Sequence, residues 1–102
     1  MANTFKNYTS SSIGTTGVEV YRVPLNTTSI LIGCNLANTS ANQITVSLQA
    51  AGVYVVKDAP IPAGSSLSVL DGKVILEEDN TVVVTSSAGL STDALLSVLE
   101  QT

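Results

Sequence analysis

Ile44-Thr45-Val46-Ser47-Leu48-Gln49 alternates apolar and polar side chains without a break. Successive side chains of a strand point to opposite faces, so this run has one aliphatic face and one polar face: a half-buried antiparallel strand. The pattern spreads outward from there. Thr81-Val82-Val83-Val84-Thr85 is β-branched throughout, and Val18-Glu19-Val20-Tyr21-Arg22-Val23 stops at Pro24, which cannot donate to a ladder. Ser29–Leu36 carries apolar groups on both faces, as a central strand does. Strict alternation there places Ile30, Ile32, Cys34 and Leu36 on one face.

The punctuation fits strands rather than helices. Asn26-Thr27-Thr28 is a polar turn, and Ala50-Ala51-Gly52 turns the chain into Val53-Tyr54-Val55-Val56-Lys57. Ile61-Pro62-Ala63-Gly64 suits a type I turn, with Pro second and Gly fourth. Asp71-Gly72, between Ser66–Leu70 and Lys73–Glu77, suits a type I′ hairpin, whose two central residues need positive φ. Asp93–Glu100 fits either a short helix capped by Ser91 or Thr92, or a strand with Leu96 and Val98 inward. The strand is preferred because it closes a sheet already present and so short a helix is marginal alone. These segments predict seven or eight strands in an all-β antiparallel sandwich of jelly-roll or immunoglobulin-like type. Residues 18–102 form the sandwich, with Ile30, Ile32, Ile44, Val46, Leu48, Val82 and Val84 in its core. Residues 1–17, rich in Asn, Ser, Thr and Gly, read as an N-terminal arm, flexible alone or ordered against a neighbour. Its anchors are Phe5, Tyr8 and Ile13.

Composition removes much of the chemical repertoire. The 102 residues contain no His, no Trp and one Cys, so a histidine base, a His-ligated metal and an intrachain disulfide are impossible. Cys34 reads as a small buried hydrophobe, since no His is present to activate it. Glu77-Glu78-Asp79-Asn80 lacks the ligand spacing and glycine of a calcium loop and reads as a solvated turn. Gly14-Thr15-Thr16-Gly17 lacks the Lys-Ser/Thr completion of a phosphate loop. Neither catalysis nor a cofactor or metal site is expected. Four basic residues against eight acids give a net charge of −4, with no Lys/Arg cluster for nucleic acid. No segment reaches the roughly 20 apolar residues of a membrane span, and the start has no apolar signal core, so synthesis in a cytoplasm is expected.

Several stretches, taken in order, resemble a family of small virion structural proteins of tailed bacteriophages, particularly those of marine cyanobacteria. They are Met1-Ala2-Asn3-Thr4-Phe5-Lys6-Asn7 with Ile13-Gly14-Thr15, then Ile32-Gly33-Cys34-Asn35-Leu36-Ala37-Asn38-Thr39. Val55-Val56-Lys57-Asp58-Ala59-Pro60-Ile61-Pro62-Ala63-Gly64 and the ending Leu95-Leu96-Ser97-Val98-Leu99-Glu100 complete the set. Gly89-Leu90 stands where that family more often has small polar residues. The resemblance implies a non-enzymatic component of a virion made in a bacterial host, and carries over no catalytic or ligand residues. The expectation is an accessory that coats the capsid surface and binds other virion proteins by many weak, repeated contacts. Neck, tail or fibre components, or a carbohydrate- or host-surface-binding module using Tyr8, Tyr21 and Tyr54, are the alternatives. Low charge and open strand edges favour a homo-oligomer, a trimer suiting a capsid's symmetry axes, with Phe5, Tyr8 and Ile13 of the arm joining the interface.

Overall fold

Nine strands form among the residues that the computed structural model describes, 3–69 and 73–102. They are β1 (Asn3–Ile13), β2 (Val18–Arg22), β3 (Thr28–Asn38), β4 (Ile44–Ala50), β5 (Val53–Ile61), β6 (Ser66–Ser68), β7 (Val74–Leu76), β8 (Thr81–Ser86) and β9 (Thr92–Gln101). One sheet runs β1-β9-β3-β6, with β7 also on β3; the other runs β2-β8-β4-β5. All pairs are antiparallel.

β6 and β7 lie along the same edge of β3, opposite Asn35–Ala37 and Ser29–Leu31 respectively. They are two pieces of one interrupted strand. Counting them as one, the strand orders become 1-8-3-6 and 2-7-4-5, each sheet mixing early and late strands. An immunoglobulin sandwich would instead keep its first two strands side by side in one sheet. The order here is that of a jelly roll, which resolves the two fold types left open by the sequence. The C-terminal segment is strand β9, set between β1 and β3.

The core follows the alternation in β4 and β8. Ile44, Val46, Leu48, Val82 and Val84 are buried, packed with Ile61 of the same sheet and with Leu31, Leu36, Leu76, Leu96 and Val98 of the facing sheet. β3 departs from simple alternation. Ser29 and Leu31 point inward, but the ladder with β9 slips between Leu31 and Gly33, and alternation restarts out of phase, with Cys34, Leu36 and Asn38 inward. A bulge of this kind inserts one extra residue and exchanges the faces beyond it. Ile30 is therefore half-buried on the outer face and Ile32 is 38 % exposed, neither in the core expected for them.

The turns also differ. Ala51 (φ 53°) and Gly52 (φ 82°) both have positive φ in a two-residue hairpin joining β4 to β5, the geometry expected at Asp71-Gly72. Asp71-Gly72 itself lies outside the described residues. The turn after β5 is Pro62–Ser65, closed by the Ser65 amide donating to the Pro62 carbonyl (3.1 Å). Gly64 is its third residue at φ 71°, so this turn is displaced by one residue from the type I turn read in the sequence.

The segment read as an arm is, from Asn3 to Ile13, edge strand β1, paired along β9 from Asn3↔Gln101 to Ile13↔Thr92. Asn3–Lys6 are exposed, and only Ile13 is buried. Polar groups brought inside are paired. The Asn38 side-chain amide donates to the Asn42 (2.8 Å) and Ile61 (2.9 Å) carbonyls, tying the end of β3 to the loop before β4 and to the end of β5. Among the described residues no buried side-chain nitrogen or oxygen lacks a partner.

Candidate assembly surfaces

Phe5, Tyr8 and Ile13 share a strand but not a direction. Ile13 is sealed in the protein's own core, Tyr8 is half-buried under β1, and Phe5 stands 75 % exposed on the outer face of the first sheet. The structure does not bring them together as one contact patch.

Phe5 instead belongs to a row formed by pairing. It lies opposite Leu99, Leu99 opposite Ile30, and Ile30 opposite Ile75, so four apolar side chains cross the full width of the sheet. Cross-strand neighbours on one face are close enough to form a continuous surface. Ile75 is 68 % exposed. Asn3, Gln101 and Thr28 flank its first three members on one side, and Asn7, Ser97 and Gly33 on the other, all uncharged; at the fourth, the exposed Lys73 and Glu77 stand two residues to either side of Ile75. A shallow groove of about 300 Å³ runs beside it, lined by Phe5, Lys6, Asn7, Ile32, Ser97 and Val98. No charge-pattern or hydropathy scan finds this row, because its members lie far apart in the chain and meet only through register.

Beneath β1 the sheet closes on a polar cluster. β9 turns Leu96, Val98 and Glu100 inward, and Glu100 is 4 % exposed. Its Oε2 accepts hydrogen bonds from the Tyr21 hydroxyl (2.6 Å) and the Tyr8 hydroxyl (2.8 Å), and its Oε1 faces Lys6 Nζ at 3.3 Å. Since the Tyr21 proton is committed to Glu100, Ser29 Oγ donates to the Tyr21 oxygen (2.5 Å). The two tyrosine rings stack at 4.3 Å between centroids. Burial alone would push the Glu100 carboxyl up, but the bonds from Tyr21, Tyr8 and Lys6, with the Lys6 charge, outweigh it and hold it below the usual carboxylate range. Burial, and then the hydrogen bond to this carboxylate, push the Tyr8 hydroxyl up to about 12 and Tyr21 higher still. The cluster uses two of the three tyrosines that sequence offers for sugar stacking. Tyr54 remains open on β5, with Lys57 over its ring.

Glu77–Asn80 is a turn, closed by the Asn80 amide donating to the Glu77 carbonyl (3.0 Å), and Asp79 pairs with Arg22 (2.8 Å). Among the described residues no three His, Cys, Asp or Glu side chains gather as a metal site would require.

No protein-family model matches this chain, and no curated protein does. Among solved structures it is similar to one described as "Bacillus endospore appendages form a novel family of disulfide-linked pili", at 14 % identity and a TM-score of 0.58, over 99 % of this chain and 87 % of that one. At that identity the likeness is one of fold.

The disulfide linkage of that structure has no surface counterpart here. Cys34, the single cysteine, is 3 % exposed between the sheets, and burial pushes its thiol up to about 12. The folded protein is expected to resist an aromatic disulfide reagent at pH 8 for hours, whereas the urea-unfolded chain reacts within minutes. Prompt stoichiometric labelling of folded protein would contradict this burial.

Proposed function

We propose that this protein is a non-enzymatic structural subunit of a tailed-phage virion that self-associates and coats the capsid surface as an accessory. The observation that carries the reading is the apolar row Phe5-Leu99-Ile30-Ile75 across the outer face of the first sheet. Contiguous exposed apolar surface on a small domain marks an interaction site, and a chain with only 12% charged residues offers little charge repulsion between copies. The ordered sequence resemblance supports the virion, and the fold likeness to a pilus structure is in keeping with a polymerising structural role.

The test is Phe5→Asp with Ile75→Asp. Both side chains are exposed, so the melting temperature should stay within a few degrees. Losing two apolar contacts worth roughly 1.5–3 kcal/mol each when fully buried should weaken self-association and particle binding by at least about tenfold. Light scattering and co-sedimentation with purified particles read the result. Unchanged assembly would remove this face from the interface, and a strictly monomeric parent protein absent from virions would end the reading.

A second reading, a neck, tail or fibre component, is favoured by the pilus character of the solved structure. Copy number per virion separates the two, with hundreds of copies for a capsid coat and a small fixed ring number for a neck.

A further inference from the structure

We propose that β1 is an exchangeable strand, and that in the assembled state Asn3–Ile13 of one copy pairs with β9 of another. This rests on the reading of the protein as a self-associating subunit and names the contact that links copies.

β1 is an edge strand held to the body with little apolar burial. Its ladder with β9 is long, yet only Ile13 is buried, Tyr8 is half-buried against the core, and Asn3–Lys6 are exposed. What holds its middle is mainly the polar pair of Lys6 and Tyr8 on Glu100, with the Tyr8 ring against that of Tyr21. Lifting β1 therefore costs ladder bonds and these contacts but little apolar burial. Both are regained in full when an identical segment docks.

The strand left behind cannot stay bare. β9 would show an unpaired edge from Thr92 to Gln101 and an uncovered Glu100, and such an edge is a template for another chain. The occupant that fits is a second copy of β1. Lys6 and Tyr8 form the only Lys-x-Tyr spacing in the chain, and two inward side chains at that spacing are what Glu100 receives.

The connection to the body favours the exchange. Ser12 is held at φ 57°, and the β1–β9 register slips between Ser10 and Ile13. Residues 14–17 follow, with glycine at each end. A non-glycine residue in the left-handed region stores strain that an opened connection releases, and short strained hinges invite exchange between copies.

The experiment uses two full-length chains, both carrying Cys34→Ala, one with Asn7→Cys and the other with Ser97→Cys. These positions are register partners on the outer face, with Ser97 Oγ 3.2 Å from Asn7 Oδ1. The chains are unfolded together, refolded, assembled and oxidised. A disulfide between positions 7 and 97 can then form only between chains, and exchange predicts a 7–97 heterodimer as a major product on a non-reducing gel, with the bond mapped by peptide mass. A chain carrying both cysteines, oxidised while dilute, reports the closed intrachain pair. Assembled material lacking the heterodimer would overturn the exchange while leaving self-association intact. Protein that never assembles and links only within the double-cysteine chain would overturn both.

Discussion

Leu31→Asp should yield no folded protein, whereas Ile32→Asp should fold and melt within about 1 kcal/mol of the parent, as surface substitutions generally do. The two residues are adjacent, equally aliphatic, and ranked the other way round by alternation. The slip in the β3–β9 ladder between Leu31 and Gly33 separates them. Leu31 is fully buried with no partner for a carboxylate, and an unpaired buried charge costs several kcal/mol, a large share of a small domain's stability. Ile32 is 38 % exposed beside the outer groove, where a carboxylate keeps its water. Far-UV circular dichroism and thermal melts of both variants decide the matter. If Leu31→Asp folds and Ile32→Asp does not, β3 runs without its bulge.

This pair shows where sequence reading of the chain succeeds and where it stops. β4 and β8 keep strict phase, so Ile44, Val46, Leu48, Val82 and Val84 could be assigned to the core from period alone. A bulge leaves no compositional mark in Ile30-Leu31-Ile32-Gly33, because its residues are apolar in either phase. β1 is hard to read as a strand for the opposite reason. Its Ser, Thr and Asn residues lie at an edge, where neither face needs an aliphatic side chain except at Ile13. Phe5, Tyr8 and Ile13 lie close together in sequence, but the pleat and the bulge send them apart. Glu100 was within reach: once Leu96 and Val98 are placed inward, two residues further along the same strand is Glu100. A buried carboxylate demands donors, and the tyrosines supply them.

Glu100→Ala should be the most damaging substitution of a charged residue. Two hydroxyl donors lose a charged acceptor, at roughly 1.5–3 kcal/mol for each such bond, while the half-exposed Lys6 pair adds little. A loss of about 3–4 kcal/mol lowers the melting temperature by more than about 10 °C for a domain of this size. Glu100→Gln, which keeps an acceptor, should fall between. The cluster also sets a pH window. Because the folded carboxyl titrates below its unfolded value of about 4.3, the unfolded chain takes the proton first on acidification. The Glu100 contribution is thus complete above that pH and lost as pH falls through the folded value. At the alkaline end the tyrosines are raised, Tyr8 to about 12, so the unfolded chain deprotonates first and stability declines as pH climbs past about 10. Melts from pH 2 to 11 should show a plateau between these limits. Glu100→Gln should flatten the acid flank, and an unchanged flank would assign acid sensitivity to other carboxylates.

The placement of β9 between β1 and β3 also has a consequence in time. A ribosome delivers β1 some ninety residues before the strand it pairs with, and β3 more than fifty before. Until β9 emerges, the first sheet has no centre, and the earliest strand made waits longest for a partner. Pairings between such distant segments are slow to form, because a long loop must close before any contact rewards it. On a polysome, nascent chains from one message would hold unpaired first strands close to neighbours just completing their last. Whether a subunit's first strand closes on itself or on a sibling would then be influenced by translation rate and local chain density, before any mature particle is present to select between them.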